Sequence, residues 1–111
     1  MDTYKMAWAF LCIAGVLEIA FAVSMKSSDG FTRLVPALLT ICTGVASVIL
    51  LSLSLRELPV GTGYAVWTGI GAAGTAILGI AVFGESAAPM RIGCIALILL
   101  SIVGLKLISK N

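Results

Sequence analysis

The sequence predicts an all-α membrane protein with four transmembrane helices per chain, and three observations carry that prediction. Of 111 residues, 60% are hydrophobic and 11% charged, against about 25% charged in an ordinary soluble domain. The apolar residues gather in four runs, roughly 6–26, 34–55, 60–83 and 90–108, each near the length of about 20 residues that spans hydrocarbon as a helix. Every charged residue except Glu18 falls at or near the end of a run. The runs form one transmembrane domain over residues 1–111.

The first run is full length and is followed by further apolar runs, so it reads as a retained span rather than a signal peptide. It contains "GVLEIAFAVSM", in which Glu18 sits near the bilayer's middle third. A charged group at that depth costs about 2.5–3.5 kcal/mol on insertion scales, so it faces a bundle interior or a wet cavity and is functional by default. One helical turn away lie Ala14, Gly15, Phe21 and Ala22: small residues leave space, and the Phe21 ring supplies a wall.

The second run carries Thr40, Thr43, Gly44, Ser47 and Ser54 along one face. These hydroxyls either line the same cavity and donate to Glu18 or bond back to their own helix carbonyls. The third run is rich in glycine, with Gly69, Gly71 and Gly74 available for close helix approach and conformational change. Its Tyr64 and Trp67 are three residues apart and share a face; they bound a cation site or belong to an interfacial aromatic belt. In the fourth run Gly93, Leu97, Ser101 and Gly104 form one stripe, a dimer seam or an intrachain packing surface.

The breaks "SSDGFTR", "RELPVG" and "GESAAP" are short and combine charge with Gly or Pro. Such connections join antiparallel neighbours, giving an up-down-up-down bundle with both termini on one side. That side carries Lys5, Arg56, Lys106 and Lys110; the other carries Lys26, Arg33 and Arg91. Four against three is almost no positive-inside bias. It predicts insertion in either direction and permits an antiparallel, dual-topology dimer, which also enlarges a bundle too small to enclose a substrate path alone.

Several functions are disfavoured. With no histidine, Ser-His-Asp and Cys-His catalysis is unavailable, and no other run supplies an acid for a carboxylate pair, so the chain is not expected to be an enzyme. No Walker-type loop is present, and a net charge of +2, with basic residues singly at helix ends, does not suit nucleic acid. Cys12, Cys42 and Cys94 have no metal-ligand spacing and read as small packing residues. Neither a cofactor nor a metal is expected. A lone membrane acid with hydroxyl and aromatic neighbours suits a small cation exchanged for protons. Two copies of Glu18 in a dimer would titrate as a coupled pair, holding protons or the cation in competition.

The segments "LEIAFAVSMK", "DGFTRLVP", "LPVGTGYAVWTGIGAAG" and "GLKLIS" make the chain resemble the small multidrug resistance family over essentially its whole length. Within that family, "GTGYAVWTGIG" is more similar to the guanidinium exporters than to exporters of polyaromatic cations, which read nearer "YAIWSGVG". The resemblance implies an antiparallel homodimer in the bacterial inner membrane, exporting guanidinium for protons. It makes Glu18 the shared cation and proton site, with Ser47, Tyr64 and Trp67 around it; Thr43, Gly15 and Phe21 complete the expected lining. The guanidinium subtype usually has Trp where this chain has Phe21, which keeps a broader quaternary-ammonium exporter, or one half of a paired heterodimer, as alternatives. A non-transporting structural subunit is the alternative of another class.

The charge balance yields a first prediction. A cysteine engineered after Lys110 and probed in intact cells with an impermeant thiol reagent should show labelled and protected populations in comparable amounts. One orientation in nearly every molecule would argue against self-pairing.

Overall fold

The computed structural model describes residues 2–109; Lys110, counted above among the basic residues, lies outside them. The chain forms α1 (Thr3–Ser27), α2 (Leu34–Ser54), α3 (Val60–Phe83) and α4 (Pro89–Ile108). All four are long and apolar enough to cross a membrane, and the chain is a multi-pass membrane protein.

Local chemistry sets the helix ends. Helix α1 starts before the apolar run because the Asp2 carboxylate caps it, accepting the Tyr4 amide at 3.0 Å. Pro89 opens α4, where a first-turn residue needs no N–H partner. Between α1 and α2 the chain turns on Ser28, which is fully buried. Its hydroxyl donates to the Met25 carbonyl at 2.7 Å and accepts the Phe31 amide at 3.1 Å. Around it Asp29, Gly30 and Phe31 adopt φ of 50°, 70° and 64°, a left-handed run that two of these residues enter against their side-chain sterics.

The helices alternate in direction as expected. At one end the Tyr4 hydroxyl donates to the Ser109 carbonyl at 3.0 Å, and Thr3 Oγ1 donates to Glu57 Oε1 at 3.3 Å. The N-terminus, the second loop and the C-terminal end therefore share a side. Contact among the four helices is uneven. Helix α1 packs on both α2 and α3, whereas α4 lies against α3 and leaves most of its surface open. Its link to α1 is at the terminal end, where Lys106 Nζ stands 4.6 Å from the centroid of the Trp8 ring.

Packing is unequal along the membrane normal. The core cluster of Ala7, Trp8, Leu11, Ala14, Leu51, Leu58 and Val66 lies in the half that holds the termini, where a pocket of about 190 Å³ opens beside Phe10 and Arg56; the cavities that Glu18 lines, each of about 550 Å³ or more, extend into the other half. Cys12, Cys42 and Cys94 are exposed, which corrects the expectation that they fill interior space. They lie on outward faces, where a thiol meets an apolar environment without being packed against another helix.

Small residues bring α3 close to both neighbours. Side chains of Ile98 and Ile102 on α4 face Gly69, whereas Glu18 and Ile19 on α1 face Gly71 and Gly74. Gly15 on α1 receives Ile70 of α3 in return. A Cβ on Gly74 would overlap the Ile19 side chain. Gly74→Val is thus expected to destabilise the fold by about 1–3 kcal/mol through overpacking, lowering the thermal unfolding midpoint in detergent. Gly61→Ala, at a position with no atom within 4 Å of the added carbon, should leave it nearly unchanged.

Candidate functional site

Glu18 is half-buried on the side of α1 that meets α3. Its side chain lies against the Gly71 backbone so closely that a Cβ there would overlap Glu18 Cγ. Among the described residues its carboxylate has no hydrogen-bond partner and no ion-pair partner; the one ion pair joins Glu85 and Arg91. A membrane-depth carboxylate left unpaired by its own chain is available to a ligand or a proton.

Two open cavities meet at this residue. The first, about 550 Å³, lies along α1 and α3 and extends to Lys26, Glu85 and Arg91 at the end formed by loops one and three. The second, about 560 Å³, lies along α1 and α2 and is walled by Ile41, Val45, Val48, Ile49, Phe31 and Trp67. Glu18 and Phe21 line both. Phe21 stands against Gly44 of α2, where an added Cβ would lie 2.8 Å from Cδ1 and Cε1 of the ring. The aromatic wall expected beside the acid is present, and it forms part of the boundary of each cavity.

The hydroxyl-bearing residues of α2 divide into two groups. Thr40 Oγ1 donates to Pro36 O at 2.8 Å, Thr43 Oγ1 to Leu39 O at 2.7 Å, and Ser54 Oγ to Leu51 O at 2.7 Å. These side chains return to their own helix, so the alternative of donation to Glu18 does not occur; an unpaired hydroxyl in an apolar setting takes the nearest free carbonyl lone pair. Ser47 differs. Its Oγ donates to Ala14 O at 2.7 Å and accepts Trp67 Nε1–H at 2.9 Å, tying α3 to α2 and α2 to the turn of α1 that precedes Glu18.

Of the expected lining residues, the structure brings Phe21 and Trp67 to cavities shared with Glu18. Ser47 is buried behind Trp67 and acts on its ring orientation. Tyr64 is exposed beside Trp67, with ring centroids 5.4 Å apart at an interplanar angle of 55°, and lines neither cavity. Thr43 and Gly15 also stand outside both, the latter because Ile70 covers it. On α4, Leu97 and Ser101 are exposed on a groove against α3, while Gly93 and Gly104 have no neighbour within 4 Å of an added Cβ. Thr75, four residues beyond Gly71 on the same face of α3, also lines the Glu18 cavity, and Glu85 and Arg91 join it without any sequence signal to place them there, because the path of the third loop beneath α3 is a tertiary feature.

Four apolar helices around a carboxylate unpaired among the described residues, flanked by aromatic rings and open cavities, define a multi-pass membrane protein. The model of the Small Multidrug Resistance protein family matches residues 6–98, and the chain belongs to that family. It is 54% identical over 102 residues to the guanidinium exporter of Escherichia coli strain K12, covering 92% of this chain and 97% of that protein. It is 56% identical over 104 residues to the guanidinium exporter of Yersinia pseudotuberculosis serotype I strain IP32953, covering 94% of this chain and 100% of that protein. The guanidinium exporter of Citrobacter freundii is 53% identical over 102 residues, 92% of this chain and 97% of that protein.

The Ser47 relay can be tested directly. Ser47→Ala leaves the Trp67 indole N–H without its acceptor, a loss of about 1–3 kcal/mol for a buried donor. In a Trp8→Phe background, where Trp67 is the remaining tryptophan of two, the variant should show a lower unfolding midpoint and a shifted Trp67 emission maximum. An unchanged spectrum would mean that Ser47 does not hold the ring.

Proposed function

We propose that this chain exports guanidinium and small guanidinium-like cations across the bacterial inner membrane in exchange for protons, working as an antiparallel homodimer. The observation that carries the reading is the Glu18 carboxylate, unpartnered among the described residues and opening on two cavities. The three relatives named above support the choice of substrate, since each is a guanidinium exporter.

The chemistry of the site suits that substrate. A carboxylate accepts two parallel N–H bonds from a planar guanidinium, and the faces of Phe21 and Trp67 attract a desolvated cation by about 0.5–2 kcal/mol each. Ser47 holds Trp67 in place through its indole N–H. The other charged groups that line cavities with Glu18 are Lys26 on α1, Arg91 on α4 and Glu85 in the preceding loop; α2 and α3 contribute none. The cation and the proton therefore compete for the same oxygens. Phe21 and the aliphatic wall of α2 favour alkylated guanidiniums beside guanidinium itself.

The antiparallel dimer is supported by the four-to-three distribution of basic residues and by the open surface of α4. The Gly93, Leu97, Ser101 and Gly104 stripe on that surface is the proposed seam. Gly69, Gly71 and Gly74 are the proposed points at which α3 shifts against its neighbours as access alternates.

Cation binding to purified protein across a pH series tests the shared site. The cation binds the deprotonated carboxylate, so lowering the pH through its titration should weaken apparent guanidinium affinity, by up to about tenfold per pH unit for each proton displaced. Glu18→Gln should abolish proton-coupled exchange in proteoliposomes. Affinity independent of pH, or unchanged in Glu18→Gln, would place the cation elsewhere.

A further inference from the structure

The cavity that joins Glu18 to the third loop contains a second acid. Of the chain's five carboxylate side chains, Glu18 and Glu85 alone line it. Each lies against a glycine of α3, Glu18 on Gly71 and Glu85 on Gly79, and at both glycines an added Cβ would overlap the acid's side chain. These glycines are eight residues apart on one helix, about 12 Å along its axis at about 1.5 Å per residue. Midway between them Thr75 lines the same cavity. Its Oγ1 is buried and has no hydrogen-bond partner among the described residues, although Thr40 and Thr43 show how readily such a hydroxyl returns to its own helix.

Glu85 is occupied by a group of the proposed cargo's own chemistry. The Arg91 guanidinium donates from Nη2 to Glu85 Oε1 at 2.7 Å and from Nη1 to the Ser86 carbonyl at 2.8 Å. Both partners are partly exposed, with side-chain accessibilities of 33% for Arg91 and 44% for Glu85, so water weakens the pair and exchange is inexpensive. A free guanidinium-class cation presents the same planar donors to the same carboxylate.

We infer that Glu85 is an outer binding station for guanidinium-class cations, where the cargo displaces the Arg91 side chain and then passes Thr75 on the way between the loop end of the cavity and Glu18. This rests on the reading of Glu18 as the inner cation site. The station raises the local cation concentration in a cavity whose other loop-end charges, Lys26 and Arg91, repel it. Thr75 lines the cavity between the two acids.

Two experiments test the station. In proteoliposomes, Glu85→Gln should raise the apparent KM for guanidinium by about two- to five-fold, the scale of one exposed charge contact, with the limiting rate little changed. Arg91→Gln removes the competitor and should lower KM. An ion pair that merely braces the turn predicts a change in the same direction for both variants, and that result would overturn the station. Separately, guanidinium added to Glu18→Gln protein should shift the Arg91 side-chain Nε–H resonance, and Glu85→Gln in that background should remove the response. Absence of the shift overturns the station whatever Glu18 does. A shift alongside wild-type guanidinium affinity in Glu18→Gln overturns the Glu18 reading and leaves the station standing.

Discussion

The expense of keeping a carboxylate at membrane depth is the constraint on which the rest of this structure depends. Among the described residues Glu18 has no hydrogen-bond or ion-pair partner, and its position is sustained by space. Gly71 supplies that space on α3, Phe21 and Trp67 line it, and two cavities let polar ligands reach it. Deleting the acid would remove the reason for each of these features. A helix with a Cβ at position 71 could not accept the Glu18 side chain where it lies.

The two halves of the molecule divide the work. On the terminal side Trp8, Leu11, Ala14, Leu51 and Val66 pack into the core, and Lys106 over Trp8 and Tyr4 on Ser109 fasten α4 there. On the other side α1 and α3 separate around cavities, and the Ser28 turn and the Glu85–Arg91 pair close the loops. The connection between halves is the hydrogen-bond chain from Trp67 through Ser47 to Ala14. It couples the orientation of an aromatic wall to the helical turn that carries the acid, so a shift of α3 against α1 is felt at the site through one serine. Helix α4 rests on α3 and little else, whereas α3 also packs on α1 and contributes Val66 to the core.

Charge and hydroxyl chemistry follow the same economy. Thr40, Thr43 and Ser54 satisfy themselves on their own helix and cost the fold little in an apolar setting. Thr75 does not, and it lies in the cavity between two acids. The α2 hydroxyls are thus satisfied locally, whereas the one on α3 has no partner among the described residues.

By itself the sequence determined the four spans, their alternation, the short turns and the position of Glu18 inside an apolar span, because hydropathy and helix rise are properties of the local chain. The family segments around Glu18, "DGFTR" and "YAVWTGIG" were equally legible. The tertiary structure alone decided which polar residues meet. Ser47, Thr43 and Ser54 share a helix face, yet Ser47 alone reaches another helix, since donor choice depends on which carbonyl a neighbour brings within 3 Å. Tyr64 shares a face with Trp67 but stays exposed, and the cysteines turn outward, because helix rotation is set by how α1 beds into α2 and α3. Glu85 and Arg91 read in sequence as loop charges; only the fold of the chain back beneath α3 brings them into the cavity of Glu18.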